Sequence, residues 1–178
     1  MVARIIILTG ERGAGKSTVC RGTVALAQAR GYTCGGIITF SHPGGTLDVF
    51  DVCSGDVRRL TLESDASPAV ILGRFRFDPE TLAWGNAVLA RALPCHLLVV
   101  DELGPLEVER EVGWLKAFDV LRRADFALAL VVVRPELVAR AQLKLPVSAT
   151  TVITVTPDDR DGIPAVLVET LERELHRT

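Results

Sequence analysis

Two stretches of the chain bring together residue types suited to phosphate chemistry. Residues Gly10 to Thr18 read GERGAGKST, the G-x-x-x-x-G-K-[ST] pattern known as Walker A. Gly10, Gly13 and Gly15 permit backbone conformations closed to residues with a Cβ. Successive N–H groups, with Glu11, Arg12 and Ala14 between the glycines, can therefore converge on one anion. A helix beginning there, with Thr18 at its start, would add about half a positive charge. Lys16 would reach the β- and γ-phosphates of a nucleotide. The Ser17 hydroxyl would hold Mg2+, which takes oxygen ligands in octahedral geometry.

The second stretch, Leu97 to Glu102, reads LLVVDE, an apolar run ending in two carboxylates and thus in Walker B form. Asp101 would hold the Mg2+, through its water shell, from the strand neighbouring the phosphate loop. Glu102, one residue further on, is placed to orient and deprotonate a water attacking the γ-phosphate. Charge builds on the γ-phosphate oxygens during such a transfer, so an arginine is expected nearby. Arg134, at the carboxyl end of another apolar run, joins Lys16 and Glu102 as the catalytic set, and Arg12 inside the loop is a further candidate. Asp101-Glu102-Leu103-Gly104 also fits D-x-x-G, a guanine-nucleotide switch. That reading needs N-K-x-D, and the single asparagine, Asn86, is not in one.

Hydrophobic periodicity says how these pieces are held. Val2 to Leu8 is rich in β-branched residues, fits a buried parallel strand, and leads into the loop. Thr18 to Arg30 follows as a helix, with Gly31 where a C′ glycine would end it. Tyr32 to Phe40 and Thr46 to Cys53, joined by the turn cluster at residues 41–45, read as a β-hairpin at one sheet edge, continued by Val57 to Leu62. Thr61 to Ala69 reads as a loop and Ile71 to Phe77 as a strand. Asp78-Pro79-Glu80 starts a helix running to about Leu93, with an N-cap acid and a proline in its first turn.

After the strand His96 to Val100, Glu107 to Arg123 reads as one amphipathic helix and Phe126 to Val133 as a third buried strand. Glu136 to about Gln142 is a short helix, Thr150 to Val155 a last strand, and Asp161 to about His176 a final helix with Val166 on its apolar face. The fold class is α/β: a mainly parallel sheet with helices on both faces, plus a β-hairpin insertion at one edge. Ligands on such sheets bind beyond the carboxyl ends of the strands. No repeat or linker divides the chain, so residues 1–178 are expected to form a single domain.

The 178 residues are 48% hydrophobic, enough to bury one sizeable core. A formal charge of −2 gives no global attraction to nucleic acid. Arg58-Arg59 and Arg122-Arg123 lack interleaved aromatic residues, so they read as surface charge. Cys20, Cys34, Cys53 and Cys95 show no C-x-x-C spacing and read as small buried thiols of a reduced, cytoplasmic compartment. No run approaches a membrane span. Trp84 and Trp114 fall at helical core positions.

The stretch DELGPLE, Asp101 to Glu107, after a loop of the form G-x-x-G-x-G-K-S, resembles the cancer-related nucleoside-triphosphatase family, a P-loop NTPase family with thermophile members. That family's strand-end pattern is D-E-[IL]-G-x-[ML]-E. Gly36-Ile37-Ile38-Thr39 is similar to its G-F-x-T, with Ile37 replacing the aromatic residue. Leu72-Gly73-Arg74-Phe75 with Phe77-Asp78 is similar to V-G-R-Y-x-V-D, which makes Arg74 another candidate arginine. Residues 156–161 are similar to T-x-x-N-R-D, with Asp159 where asparagine is usual. The resemblance implies the P-loop NTPase fold and slow hydrolysis of nucleoside triphosphates to diphosphate and phosphate. Broad base tolerance (ATP, GTP and others) and Glu102 as the base are also implied by it.

Several readings stay open on these residues. Arg160 either pairs with nearby acids or contacts the nucleotide. Glu107 orients the loop around Glu102, caps the helix that begins there, or does both. A small-molecule or nucleotide kinase would use the same loop but needs an arginine-rich lid, which neither residues 42–45 nor Thr61 to Pro68 supply. A nucleotide-dependent binding module would use slow hydrolysis as a timer. A nucleoside triphosphate is the expected partner, and no motif indicates a protein partner.

Overall fold

The computed structural model describes residues 3–63, 68–146 and 150–177. Its elements follow in the order β1 (Arg4–Thr9), α1 (Lys16–Ala29), β2 (Cys34–Ser41), β3 (Leu47–Asp51), β4 (Val57–Arg59), β5 (Val70–Leu72), β6 (Phe75–Phe77) and α2 (Pro79–Ala90). Then come β7 (Leu97–Leu103), α3 (Pro105–Val108), α4 (Lys116–Arg123), β8 (Leu128–Val133), a 3-10 turn (Pro135–Leu137), α5 (Val138–Lys144), β9 (Thr150–Thr154) and α6 (Ile163–Leu175). Seven strands form one sheet in the order β4-β3-β2-β7-β8-β1-β9. Neighbours from β2 to β9 run parallel, while β3 and β4 extend the edge beyond β2 in antiparallel fashion. This is the mainly parallel α/β sheet with a hairpin edge expected from the pattern of apolar runs.

The central strands β1, β7 and β8 are apolar on both sides because both sides are covered. On β1, Ile6 and Leu8 pack with Val19, Cys20 and Val24 of α1 and Leu167 and Leu171 of α6. Ile5 and Ile7 face the other way, toward Leu82 and Leu89 of α2 and Phe118 and Leu121 of α4. The same alternation runs along β8, with Leu128, Leu130 and Val132 on the α1 side and Ala129, Val131 and Val133 on the other. Every parallel strand points its carboxyl end at one rim, where the phosphate loop begins. No helix among the described residues is long and apolar enough to cross a membrane.

Some expectations fail for identifiable reasons. Ile71 to Phe77 is a two-stranded hairpin rather than one strand: Gly73 takes φ 56 and folds Val70 back onto Phe77. Glu107 to Arg123 is not one helix. It breaks between α3 and α4, where Glu111 and Gly113 take φ 54 and 79. Polar side chains replace the missing helical bonds, since Asn86 Nδ2 donates to Gly113 O at 2.7 Å and Asn86 Oδ1 accepts from Lys116 N–H at 2.9 Å. The break inserts Trp114, 3% exposed, against Gly85, where any Cβ would meet the indole ring.

Helix α2 stops at Ala90, three residues early, ahead of the cis Leu93–Pro94 bond. Cys53 is exposed rather than buried, in the turn after β3, and Val166 of α6 is 53% exposed. Arg58 has no aromatic sequence neighbour but lies over the Trp84 ring, 4.9 Å from its centroid. Of the expected loop at residues 61–69, Thr61 pairs with Phe77, and residues 64–67 lie outside the described residues.

Candidate active site

The loop between β1 and α1 has the backbone its glycines were read to need, with φ 137 at Gly10, 82 at Gly13 and 101 at Gly15. Gly10 also lies against Val155 O so closely that a Cβ would overlap it. Lys16 opens α1 and folds back over the loop, its Nζ donating to Gly10 O at 2.7 Å and Glu11 O at 2.9 Å. The ammonium is therefore held against the first two carbonyls of the loop.

The strand carrying the two acids is not the neighbour of β1. β8 separates β7 from β1, which corrects the expectation that Asp101 stands on the adjacent strand. Local sequence pattern carries no spatial strand order, and here the bridging distance is covered from α1 instead. Alternation along β7 puts Asp101 on the α1 side with Val99, and there the Ser17 hydroxyl hydrogen-bonds it. Asp101 is 2% exposed, and burial pushes it up to about 7. The Ser17 bond pulls the other way and the Glu102 charge adds to the rise. Thr39 pins the same residue, donating its hydroxyl to Asp101 O at 2.6 Å and its N–H to Asp101 Oδ2 at 3.4 Å.

A bulge in β7 gives Glu102 its position. Val100 pairs with Val131 and Leu103 with Val133, so three steps on β7 match two on β8. Leu98, Val100 and Leu103 consequently all face the α2 side, where strict alternation would have put residue 102. The extra residue frees the Glu102 side chain from the core, as bulges beside functional sites do. Its Oε1 accepts from Arg134 Nε at 2.6 Å, just past the end of β8.

Set against known proteins, the chain matches the family model NTPase_1, described as NTPase, over residues 5–168. The chain belongs to the NTPase_1 family. It is similar to the nucleoside-triphosphatase THEP1 of Methanosarcina barkeri, 30% identical over 89% of this chain and 92% of that one. With its counterpart in Methanopyrus kandleri it shares 33% identity over 67% of this chain and 66% of that one. The solution structure of a human cancer-related nucleoside triphosphatase shares the fold at TM-score 0.71 and 21% identity, covering 96% of this chain and 98% of that one. THEP1 from Aquifex aeolicus shares it at TM-score 0.69 and 19% identity, covering 94% and 99%.

Within this NTPase_1 chain the candidate arginines separate. Arg134 reaches Glu102. Arg74 lies over the Phe75 ring, and its Nη2 would stand 3.0 Å from a Cβ on Gly45, at the tip of the β2–β3 hairpin. Arg12 is exposed in the loop. Chemistry alone does not single out Thr39 in the sequence. The G-x-x-T at the end of β2 was its one signal, and its contact with Asp101 spans 62 residues. An open depression of about 610 Å³ lined by Glu169, Arg173 and His176 on α6 lies toward the opposite rim, where Arg4 pairs with Glu174.

Glu107, the last residue of DELGPLE, is 3% exposed and holds the segment after the site in shape. Its Oε2 accepts from Gly104 N–H and its Oε1 from Trp114 N–H, both at 2.9 Å. It therefore caps α3 and bridges the helix break together. Burial pushes it up to about 7 against the pull of those N–H groups. The folded chain thus keeps a proton that the unfolded chain has released above about 4.5, so this group's contribution to stability falls as pH rises from about 4.5 to about 7. Glu107→Gln turns an amide NH2 toward one of the two N–H groups. It is expected to cost about 1–3 kcal/mol at pH 5 and less at pH 7.5, read from urea midpoints at the two values.

Proposed function

We propose that this nucleoside triphosphatase cleaves the β–γ bond of nucleoside triphosphates with Mg2+ and tolerates different bases. The carrying observation is Glu102, lifted by the β7 bulge to the strand rim beside Asp101 and held 2.6 Å from Arg134. The residues around Ser17 and Asp101 suit Mg2+. Both offer oxygen donors, and no cluster of three His, Cys, Asp or Glu occurs among the described residues. Mg2+ fits that sparse set because it draws most ligands from water and phosphate. Ser17 and Asp101 would hold the ion there, and it would supply positive charge to offset that of the phosphate oxygens.

The loop amides bind and orient the phosphate chain, and Lys16 exchanges its carbonyl partners for phosphate oxygens. Glu102 accepts the proton of a water lined up behind the γ-phosphate, and Arg134 offsets charge on the oxygens of that group. Phosphate release from ATP and from GTP, with no acceptor added, is the test. Release from both, abolished by EDTA and restored by Mg2+, is expected. ATP consumption only in the presence of an added acceptor would instead mark a kinase.

A further inference from the structure

The segment after β9 is joined to the phosphate loop beyond what chain connectivity requires. Val155 N–H donates to Thr9 O at 2.7 Å, and Gly10 packs on Val155 O. The chain then turns on itself. Asp159 Oδ1 accepts from Thr156 N–H at 2.8 Å, Arg160 N–H donates to Thr156 O at 3.1 Å, and Gly162 N–H donates to Asp159 O at 3.0 Å. The turn lays the Arg160 side chain across Gly15, where a Cβ would stand 2.7 Å from Arg160 Cδ and 3.4 Å from its Nη1. The Nε is shielded from solvent and has no hydrogen-bond partner among the described residues. The Asp161 carboxylate stands 3.7 Å from it, too far for a hydrogen bond.

We propose that Arg160 is the platform for the nucleobase. With a triphosphate on the amides of Gly10 to Thr18, the guanidinium plane takes the face of the base and reads none of its edges. The proposal rests on the phosphate-loop reading above and adds the part of the nucleotide which that reading leaves unheld. Charge decides between base and phosphate. Asp158, Asp159 and Asp161 flank Arg160, so a polyanion drawn to this arginine would meet three like charges. An uncharged π-face meets no such repulsion, and a planar guanidinium stacks on it well. Asp159, the acid at the family's asparagine position, spends Oδ1 on the turn itself, a bond an asparagine would make equally. The residue at that position shapes the turn instead of selecting a base.

Calorimetric titration of Mg2+ with non-hydrolysable ATP and GTP analogues and with tripolyphosphate, against wild type, Arg160→Ala and Arg160→Lys, tests this. Arg160→Ala is expected to weaken both analogues about tenfold and to leave tripolyphosphate unchanged. Arg160→Lys keeps the charge and loses the plane, so it should follow alanine. Unchanged tripolyphosphate binding also reports that the variants are folded. Equal weakening of tripolyphosphate would make Arg160 a phosphate ligand and overturn the proposal. So would unaltered analogue binding, or a loss confined to one base. A wild type that binds the analogues no better than it binds nothing at all, tripolyphosphate included, would overturn the phosphate-loop reading itself.

Discussion

Glu102→Gln is expected to bind ATP as tightly as the wild type and to turn it over roughly 10²–10⁴-fold more slowly. The substitution is close to isosteric, and the glutamine oxygen can still accept from Arg134 Nε, so the local arrangement survives. What disappears is the ability to take a proton from water. Glu102 stands off the core, with its side chain 33% exposed, so the fold has little stake in its charge. Stopped-flow phosphate release at saturating ATP, alongside equilibrium binding, separates the two effects. A loss of less than tenfold with intact binding would remove Glu102 from the role of base.

Arg134→Ala is expected to slow turnover by about 10²–10³-fold, the range for removing one donor aimed at developing charge. Arg12→Ala and Arg74→Ala should stay within a few-fold of wild type, since neither is paired with the acids at the strand rim. The Arg134–Glu102 pair is 44% and 33% exposed on its two sides, which makes it a weak contributor to stability. The melting temperature of Arg134→Ala should therefore barely move while its rate collapses. Residues acting as one unit are non-additive, so Arg134→Ala combined with Glu102→Gln should be little slower than the slower single variant. If the two losses multiplied instead, the pair would be acting independently.

The parts legible in the sequence are those set by local pattern. The loop glycines, the apolar strands and the Asp78 N-cap, whose carboxylate accepts from Glu80 and Thr81 N–H, each depend on neighbours within a few residues. The illegible parts depend on partners far along the chain. The insertion of β8 between β1 and β7 has no local signature. The β7 bulge exists only as a mismatch with β8, and it is what turns Glu102 from a core-facing position into a rim residue. The helix expected from Glu107 to Arg123 satisfies its periodicity on paper. Asn86, from another element, outcompetes its backbone bonds at residues 113 and 116. Thr39 reaches Asp101 and Arg160 reaches Gly15 only once the sheet has assembled.

Lys16 already holds two bonds, to the carbonyls of Gly10 and Glu11. A phosphate chain bound as proposed would meet an occupied clasp here, not a bare cation, and association would swap one set of acceptors for another. The net gain is the difference between phosphate oxygens and peptide carbonyls as partners for the same ammonium. That difference grows with the charge the ligand brings, because charge-assisted bonds are the stronger ones. A singly phosphorylated metabolite would gain little over the carbonyls it displaces, whereas a triphosphate would gain more. On the proposed reading the loop would act as a latch with a threshold, one that polyphosphates would clear.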